Sequence, residues 1–276
     1  MSPQPSIAQR DIHFGFEGCD MRRWCAGDPC RTHSFNANSL MFPEGEKFFI
    51  ESVRHFREQI TDPKLQEDVK GFIGQEAVHG REHRSYNAEL GKLGYDVERL
   101  ERRTIRQLNF TRRVLPPKGR LAVTIALEHF TAILADALLS DPRVLQDADP
   151  RMAALWRWHA IEETEHKAVA FDVYKTVAPG VPGYVRRCLI MLNTTLLFWT
   201  YVLLNYFYFT RRDGIGLPRA AWRFFWLGFV NPGMLRRIQL PWLAYFRPGF
   251  HPWNHDNRGH VEQWKAAYAA TGSPPG

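Results

Sequence analysis

Two short stretches of this sequence place a glutamate three residues before a histidine. The first is EAVHGREH, in which Glu76 precedes His79 and a further histidine, His83, follows four residues later. Residues three, four and seven positions apart share one face of an α-helix, so these three side chains are predicted to lie together. Their face continues an apolar stripe that begins at Val69, and it is therefore expected to point into the protein.

The second stretch, HAIEETEH, repeats this spacing 87 residues later. Glu163 precedes His166 by three residues, and His159 stands four residues before Glu163 on the same predicted face. Glu162 also flanks His166, but Glu163 is preferred because it has the glutamate-to-histidine spacing of the first stretch.

Two further apolar stripes each contain one glutamate. Glu46 shares a predicted helix face with Phe49, and Glu128 shares one with Ile125. Glu44 is the alternative to Glu46, but it falls on the opposite side of its helix from Phe49. Each of four predicted helices thus contributes one carboxylate, and two of them add a histidine.

Buried charges cost several kcal/mol each unless they are paired, so a cluster of this kind needs compensating cations. Two divalent metal ions would balance four carboxylates, and glutamate with histidine suits iron or manganese, with zinc as a further alternative. The sequence therefore predicts a dinuclear centre, with iron preferred. The predicted metal ligands are Glu46, Glu76, His79, Glu128, Glu163 and His166, and His83 and His159 are either additional ligands or hydrogen-bonded neighbours of the ligands.

The elements that must position these residues are helical, since apolar residues recur every three or four positions and no strand-like alternation competes. The predicted order is helix, short turn, helix, long crossover, helix, short loop, helix, which is an all-α, ferritin-like four-helix bundle with one long crossover. The helices are expected to begin near Pro43, Pro63, Lys118 and Pro150 and to end near residues 60, 90, 140 and 177. The predicted domains are an irregular N-terminal segment (1–38), the metal-binding bundle (39–180) and a hydrophobic helical C-terminal region (181–276).

The C-terminal region contains CLIMLNTTLLFWTYVLLNYFYF, from Cys188 to Phe209, without a charged residue. This stretch is long enough to cross a bilayer. It could instead pack as a further helix on the bundle or in a homodimer. The Trp- and Arg-containing segments AAWRFFWLGFV and LPWLAYF also fit peripheral membrane association.

The composition limits which binding partners and which cellular compartment we expect. The net charge is +7 with a pI near 9.4, but no nucleic-acid-binding motif accompanies this charge, so a nucleic-acid partner is not expected. The N-terminus has no apolar leader, and the four cysteines match no common zinc spacing. We therefore expect a cytoplasmic protein with free cysteines, with membrane association left open. A small molecule is the expected substrate, and the Trp-rich C-terminal region beside the metal bundle is compatible with an apolar one.

Several blocks resemble known families. FPEGEKFF, QEAVHGREH, ALEHF, HAIEETEHKAVAFDVY and RPGFHPW resemble a bacterial family described as predicted metal-dependent hydrolases, from about Trp24 to Asp256. The ligand pattern resembles that of the ferritin-like di-iron carboxylate superfamily. The motif His159–Glu163–His166 is also similar to one in di-iron arylamine N-oxygenases, and this resemblance implies that His159 is a metal ligand.

Three functions are compatible with such a site. Two iron ions could activate O2 to oxidise a small organic or lipid-like substrate, which is the chemistry that the four-helix carboxylate pattern favours. Two metal ions could instead acidify a bridging water for hydrolysis, as the family description implies. A third alternative is a non-catalytic metal-binding protein.

Overall fold

The computed structural model describes residues 5–275, so the first four residues of the predicted irregular segment and the last residue of the chain lie outside it. Within the described residues the chain is helical and contains no β-strand, which confirms the all-α prediction. The α-helices are α1 (Pro29–Ser39), α2 (Phe42–Arg54), α3 (Pro63–Lys92), α4 (Val97–Val114), α5 (Pro117–Leu139), α6 (Pro150–His166), α7 (Val169–Val177), α8 (Gly180–Arg212), α9 (Leu217–Phe225), α10 (Met234–Ala244) and α11 (Arg258–Thr271). A five-residue π-helix (Trp226–Val230) separates α9 from α10.

Local signals in the sequence fix where α3 and α6 begin. Asp62 accepts a hydrogen bond from the backbone N–H of Lys64, and a proline follows Asp62 as the first helical residue. Asp149 caps α6 in the same manner, and it too precedes a proline. A carboxylate cap satisfies N–H groups that have no partner within the helix, and proline is suited to the first position because its missing N–H is not needed there.

The helices that carry the predicted ligands pack around a common interior. Helix α2 packs against α3 and α5, and α5 also packs against α6 and α7. Helix α3 packs against both α6 and α7, so all these helices share one interior. The long connection between α3 and α5 contains α4, which packs on α2 and α3. The expected crossover is therefore partly helical.

Three predicted boundaries need correction. The fourth bundle helix is interrupted at Lys167 and Ala168, where α6 ends and α7 begins, because the chain forms a turn there. The first bundle helix ends at Arg54, and the next buried apolar residues, Phe56 and Ile60, flank a short 3-10 turn (Arg57–Gln59) instead. The segment 1–38 is not irregular to its end, because Asp28 caps α1 and Pro29 begins it.

The C-terminal region is helical, as predicted, and packs on the bundle along α8 and α10. Two described helices, α5 and α8, are long and apolar enough to cross a membrane, judged by length and composition alone. In the most apolar window of α5, 72% is buried within the protein, as in a core helix, but the corresponding share for α8 is 28%. Helix α8 therefore has few fully buried residues in its most apolar window, and several of its apolar side chains are exposed.

The HPWNHD stretch forms a loop that attaches the C-terminal region to α5 and α7. Its first histidine, His251, lies 3.0 Å from Asp172 on α7, and His255 lies 3.1 Å from Asp136 on α5. Lys167, at the turn after α6, donates hydrogen bonds to the backbone oxygen of His255 and to the side chain of Asn257. The loop therefore fixes the position of the chain after α10 by several polar contacts.

Candidate metal centre

The structure brings all eight predicted site residues together in the interior, and none of them is more than 4% exposed. His166 is central to one part of the cluster. Its Nε2 atom lies 3.1 Å from Glu76 Oε1, 3.5 Å from Glu128 Oε2 and 3.5 Å from Glu163 Oε2. His79 reaches the same carboxylate from the other side, with its Nδ1 atom 3.6 Å from Glu163 Oε1.

The side chains form overlapping groups whose oxygen and nitrogen atoms lie within 4.8 Å of one another, close enough to hold a metal ion. One group is Glu76, Glu128 and His166, and a second is Glu46, Glu76 and His79. Glu76 belongs to both groups, so the two groups share one carboxylate. Two more groups combine His159 with His79 and Glu163, or with Glu46 and His83.

Many polar atoms in this cluster have no hydrogen-bond partner. Among the described residues, fifteen buried side-chain nitrogen and oxygen atoms lack a partner, and nine of them belong to the six predicted ligands. Leaving a buried polar atom unpaired costs about 1–3 kcal/mol, and more for a charged group, so natural proteins avoid it. Atoms that coordinate a metal ion would not be unpaired. The nine are both carboxylate oxygens of Glu46, Glu76 and Glu128, Oε2 of Glu163, Nδ1 of His79 and Nε2 of His166.

His83 and His159 behave differently, because each of their ring nitrogens has a partner. His83 Nε2 lies 2.7 Å from His159 Nδ1, and His159 Nε2 lies 2.9 Å from Glu163 Oε1. His83 Nδ1 lies 2.9 Å from the hydroxyl oxygen of Ser39. This arrangement favours the second sequence-based alternative, in which the two histidines are hydrogen-bonded neighbours of the ligands.

The alternatives to the predicted carboxylates lie outside the cluster. Glu44 is only partly buried and belongs to none of the candidate metal groups. Glu162 is buried, but one of its oxygens lies 2.7 Å from an Arg10 nitrogen and the other lies 3.1 Å from His79 Nε2. The preference for Glu46 and Glu163 therefore agrees with the geometry.

Sequence reasoning did not predict the groups that contact the second ring nitrogen of each of the two ligand histidines, on the side away from the cluster. Glu162 approaches His79 at the ring nitrogen that faces away from the cluster. On the other side, His166 Nδ1 lies 2.9 Å from Gln75 Oε1, and the Gln75 amide donates to Glu165 Oε2 at 2.7 Å. Partners of this kind fix the orientation of a histidine ligand.

Arg10 joins the two sides of this arrangement. Its guanidinium donates to Glu162 Oε1 and to Glu165 Oε1, both at 2.7 Å. A hydrogen-bonded path thus runs from His79 through Arg10 to His166. The two glutamates in HAIEETEH are a signal for a nearby cation, because buried carboxylates need one. No regular pattern in the N-terminal segment identifies Arg10 as that cation.

The electrostatics of the cluster favour a bound cation. Burial, followed by the negative charges of Glu76 and Glu163, raises the pKa of Glu46 well above its usual value. Burial and Glu76 raise the pKa of Glu128 in the same direction. Burial would also raise the pKa of Glu163, but the imidazoles of His166 and His159 outweigh it and lower that pKa. The carboxylates are thus poorly compensated by the chain itself, and divalent metal ions fit this donor set.

Two apolar cavities meet at the cluster and share Phe42, Thr131, His159, Glu163 and Phe198 as lining residues. The first has about 960 Å³ of empty space, part of it open to solvent, and extends between α5, α8 and the segment around the π-helix. The second has about 1520 Å³, also partly open, and extends between α2, α4, α5 and α8. The mostly apolar lining of both cavities suits a small apolar molecule.

Comparison with known proteins identifies one family. No curated protein and no solved structure matches the chain. A family model described as "Predicted metal-dependent hydrolase" matches residues 8–256, which include all eight site residues and Arg10. The chain therefore belongs to the predicted metal-dependent hydrolase family.

Proposed function

We propose that this protein is a dinuclear iron enzyme that uses O2 to oxidise a small apolar substrate. The observation that carries the proposal is the set of nine unpaired atoms on six buried glutamate and histidine residues, at a point where two apolar cavities meet. The unpaired atoms support a metal centre, and the cavities support an apolar substrate beside it.

The order of the ligands along the chain supports two ions and a ferritin-like fold. Helices α2, α3, α5 and α6 contribute, in turn, a glutamate, a Glu-x-x-His pair, a glutamate and a second such pair. This order, with one long crossover, is the pattern of di-iron and di-manganese carboxylate bundles. Four carboxylates would balance the charge of two divalent ions, which explains how so many acidic groups are buried together.

Iron would supply electrons to O2 when bound, which is the chemistry that oxidation of an apolar compound requires. The chain itself would hold the reactants. Mostly apolar walls line the space beside Glu163, and the hydrogen bond from His159 fixes one oxygen of that carboxylate. Gln75 and Glu162 orient the two histidine ligands.

Hydrolysis is the second candidate, because the family description names it. A two-metal hydrolase needs a metal-bound water and, in most cases, a group that protonates the leaving atom. The titratable side chains that line the two cavities are Glu46, His159, Glu163 and Tyr201. Three of these belong to the metal cluster or contact it, and the remaining lining is mostly apolar. We therefore prefer oxidation as the proposal, and the mostly apolar lining is the observation that supports this choice.

The test is metal analysis of the full chain purified without oxygen, followed by optical spectra on exposure to air. Two iron ions per chain and a spectral change that requires iron would support the proposal. Zinc or manganese, with ester or amide cleavage and no response to air, would favour hydrolysis.

A matched pair of glutamate variants tests the ligand assignment separately. Glu163→Ala is expected to lose at least one metal ion, and Glu44→Ala is expected to keep both, because Glu44 is outside the cluster. Retention of two ions by Glu163→Ala would refute the assignment. Removing a ligand also leaves the other carboxylates uncompensated, so Glu163→Ala is expected to unfold more easily than the wild type.

A further inference from the structure

Helix α8 presents an uncovered apolar stripe along its outer face. Val181, Val185, Leu189, Leu192 and Leu196 recur every four or three residues, and all of them are exposed. That spacing places them on one side of the helix. Leu196, the last of the five, is 67% exposed. Contiguous exposed apolar surface of this kind marks a site that contacts something else.

The elements that follow α8 carry a second set of exposed apolar side chains. Trp222 and Phe225 on α9 are 58% and 48% exposed, and their rings stack with centroids 5.8 Å apart. On α10, Leu240 and Leu243 are also exposed. Aromatic side chains on a short amphipathic helix are typical of proteins that insert shallowly into a membrane surface.

The charge of this region is strongly one-sided. Residues 180–250 contain nine arginines, one aspartate and no glutamate or lysine. The aspartate, Asp213, already accepts a hydrogen bond from Tyr95 and lies 2.9 Å from His33. Several of the arginines, including Arg211, Arg219, Arg236 and Arg247, are exposed. Arg223 and Arg237 form ion pairs with Asp28 and Asp141 from other parts of the chain. The surface still combines apolar side chains with exposed arginines, because the region itself contains only one acidic residue.

This combination argues against a second copy of the chain as the occupant. In a symmetric dimer the same surface meets itself, so the arginines of each copy would face those of the other with almost no acidic partner. An anionic lipid surface is complementary to both properties, because lipid phosphates attract arginine and acyl chains accept leucine, tryptophan and phenylalanine.

The packing of α8 indicates that it would lie along the membrane. Buried residues recur over its whole length, from Gly183 through Met191 and Val202 to Thr210, where α5 and α1 cover its inner face. If α8 crossed the bilayer, the helices packed on its inner face, α5 and α1, would also have to enter the membrane. A helix with one covered face and one uncovered apolar face is suited to the interface plane.

We propose that the surface formed by the outer faces of α8, α9 and α10 docks on an anionic lipid bilayer. The same elements also supply Phe198, Phe224 and Leu235 to the wall of the first cavity. An apolar compound dissolved in the bilayer would therefore lie beside the path to the metal cluster. That consequence rests on the proposed function, whereas the docking itself does not.

The test is co-sedimentation of the full chain with vesicles of phosphatidylcholine, alone or mixed with phosphatidylglycerol. We expect binding to the mixed vesicles that weakens as salt is added, and at least about tenfold weaker binding to phosphatidylcholine alone. Equal binding to both vesicles, or binding to neither, would overturn the proposal.

Two double variants and their controls locate the docking surface. Trp222→Ser with Phe225→Ser, and Arg219→Glu with Arg236→Glu, are each expected to lower the partition coefficient by about tenfold or more. The controls Leu93→Ser and Arg54→Glu change exposed residues outside the C-terminal region, and they are expected to bind as the wild type does. Unchanged binding by both double variants would overturn the proposal.

Sedimentation velocity without lipid tests whether a second copy of the chain binds this surface instead. A stable dimer of the wild type that dissociates in the Trp222 and Phe225 variant would assign this surface to a second copy, and it would overturn the proposal. A monomer would support it. Vesicle binding is measured without metal analysis or turnover, so its failure would leave the proposed function standing.

Discussion

His83 Nε2 lies 2.7 Å from His159 Nδ1, so the two extra histidines of the cluster bind each other across helices α3 and α6. Ser39 occupies the other nitrogen of His83, and Glu163 occupies the other nitrogen of His159. The pair therefore extends from a serine hydroxyl on α1 to a carboxylate at the proposed metal centre. Its geometry suits a role in holding Glu163 in place.

The first prediction separates this role from metal ligation. His83→Ala is expected to keep two metal ions per chain, because neither nitrogen of His83 is free for a metal. His166→Ala is expected to lose at least one ion, since its Nε2 atom makes no hydrogen bond and lies within 3.5 Å of three carboxylates. Metal analysis of both purified variants checks this, and loss of metal in His83→Ala would make His83 a ligand.

Arg10 provides the second prediction. Arg10→Met removes the cation between Glu162 and Glu165, both of which are buried. Glu165 keeps Lys265, whose Nζ atom lies 2.9 Å away, so Glu162 is the carboxylate that loses its cation. Removing one partner of a buried ion pair lowers the free energy of unfolding by about 3–5 kcal/mol. Loss of a group that hydrogen-bonds to a metal ligand weakens metal affinity by about 10- to 100-fold. Denaturant unfolding and metal titration measure the two effects.

Arg10→Lys is the control for this prediction, because it keeps the charge but cannot bind both carboxylates in a fork. We expect it to lie between the wild type and Arg10→Met in both measurements. If Arg10→Met bound metal with wild-type affinity, the path from Arg10 to the ligand histidines would have no role in the metal site.

Gly80 provides the third prediction, because it leaves room for a ligand carboxylate. A Cβ atom at this position would stand 3.0 Å from Glu46 Oε2. Gly80→Ala is therefore expected to displace Glu46 and weaken metal binding. In Gly91→Ala, on the same helix, the added atom would meet nothing within 4 Å, so this control is expected to keep its affinity.

The stability of the same two variants gives a second readout. Alanine is favoured over glycine in a helix by roughly 0.5–1 kcal/mol, so Gly91→Ala is expected to be as stable as the wild type or slightly more so. Gly80→Ala is expected to gain less, because the contact with Glu46 opposes the gain. Equal metal affinity in the two variants would contradict the close approach of Glu46 to Gly80.

The residues of the cluster could be predicted from the sequence because residues three and four positions apart lie on the same face of an α-helix. Glu76 and His79, for example, follow an apolar stripe, and this spacing alone places them on the buried side. Arg10 could not be predicted, because it lies in a segment without periodicity and meets Glu162 only through the tertiary fold. The hydrogen-bond partners of His83 could not be predicted for the same reason, since Ser39 belongs to a helix that the sequence did not indicate.

The interruption between α6 and α7 was also beyond sequence reasoning. Helix-compatible residues run through this position, and neither glycine nor proline marks the turn at Lys167. Cavity shape was equally hidden, because it depends on how α8 and the π-helix pack against α5. Local pattern thus predicted the elements and the ligands, whereas contacts between distant segments determined their surroundings.

The fourth prediction concerns pH and the loop that attaches the C-terminal region to the bundle. The hydrogen bond that His255 donates to Asp136 is the main cause that raises the pKa of His255, and it outweighs the partial burial of the ring. The folded protein therefore holds this proton more tightly than the unfolded chain does. The resulting stabilisation is fully present below the unfolded pKa of about 6.5, and it is lost as the pH rises through the folded value.

Denaturant unfolding of the wild type and of His255→Gln, at about pH 6 and about pH 8.5, measures this effect. Other groups titrate in the same range, since burial lowers the pKa of Lys167 to about 7, so the difference between the two proteins is the quantity to compare. We expect His255→Gln to lose more stability relative to the wild type at the lower pH than at the higher pH, because the protonated ring of His255 binds Asp136 more strongly than the neutral ring does. His55→Gln, which changes an exposed histidine outside the loop, is expected to show no such dependence. An equal loss at both pH values would mean that His255 holds the loop through contacts that do not depend on its charge.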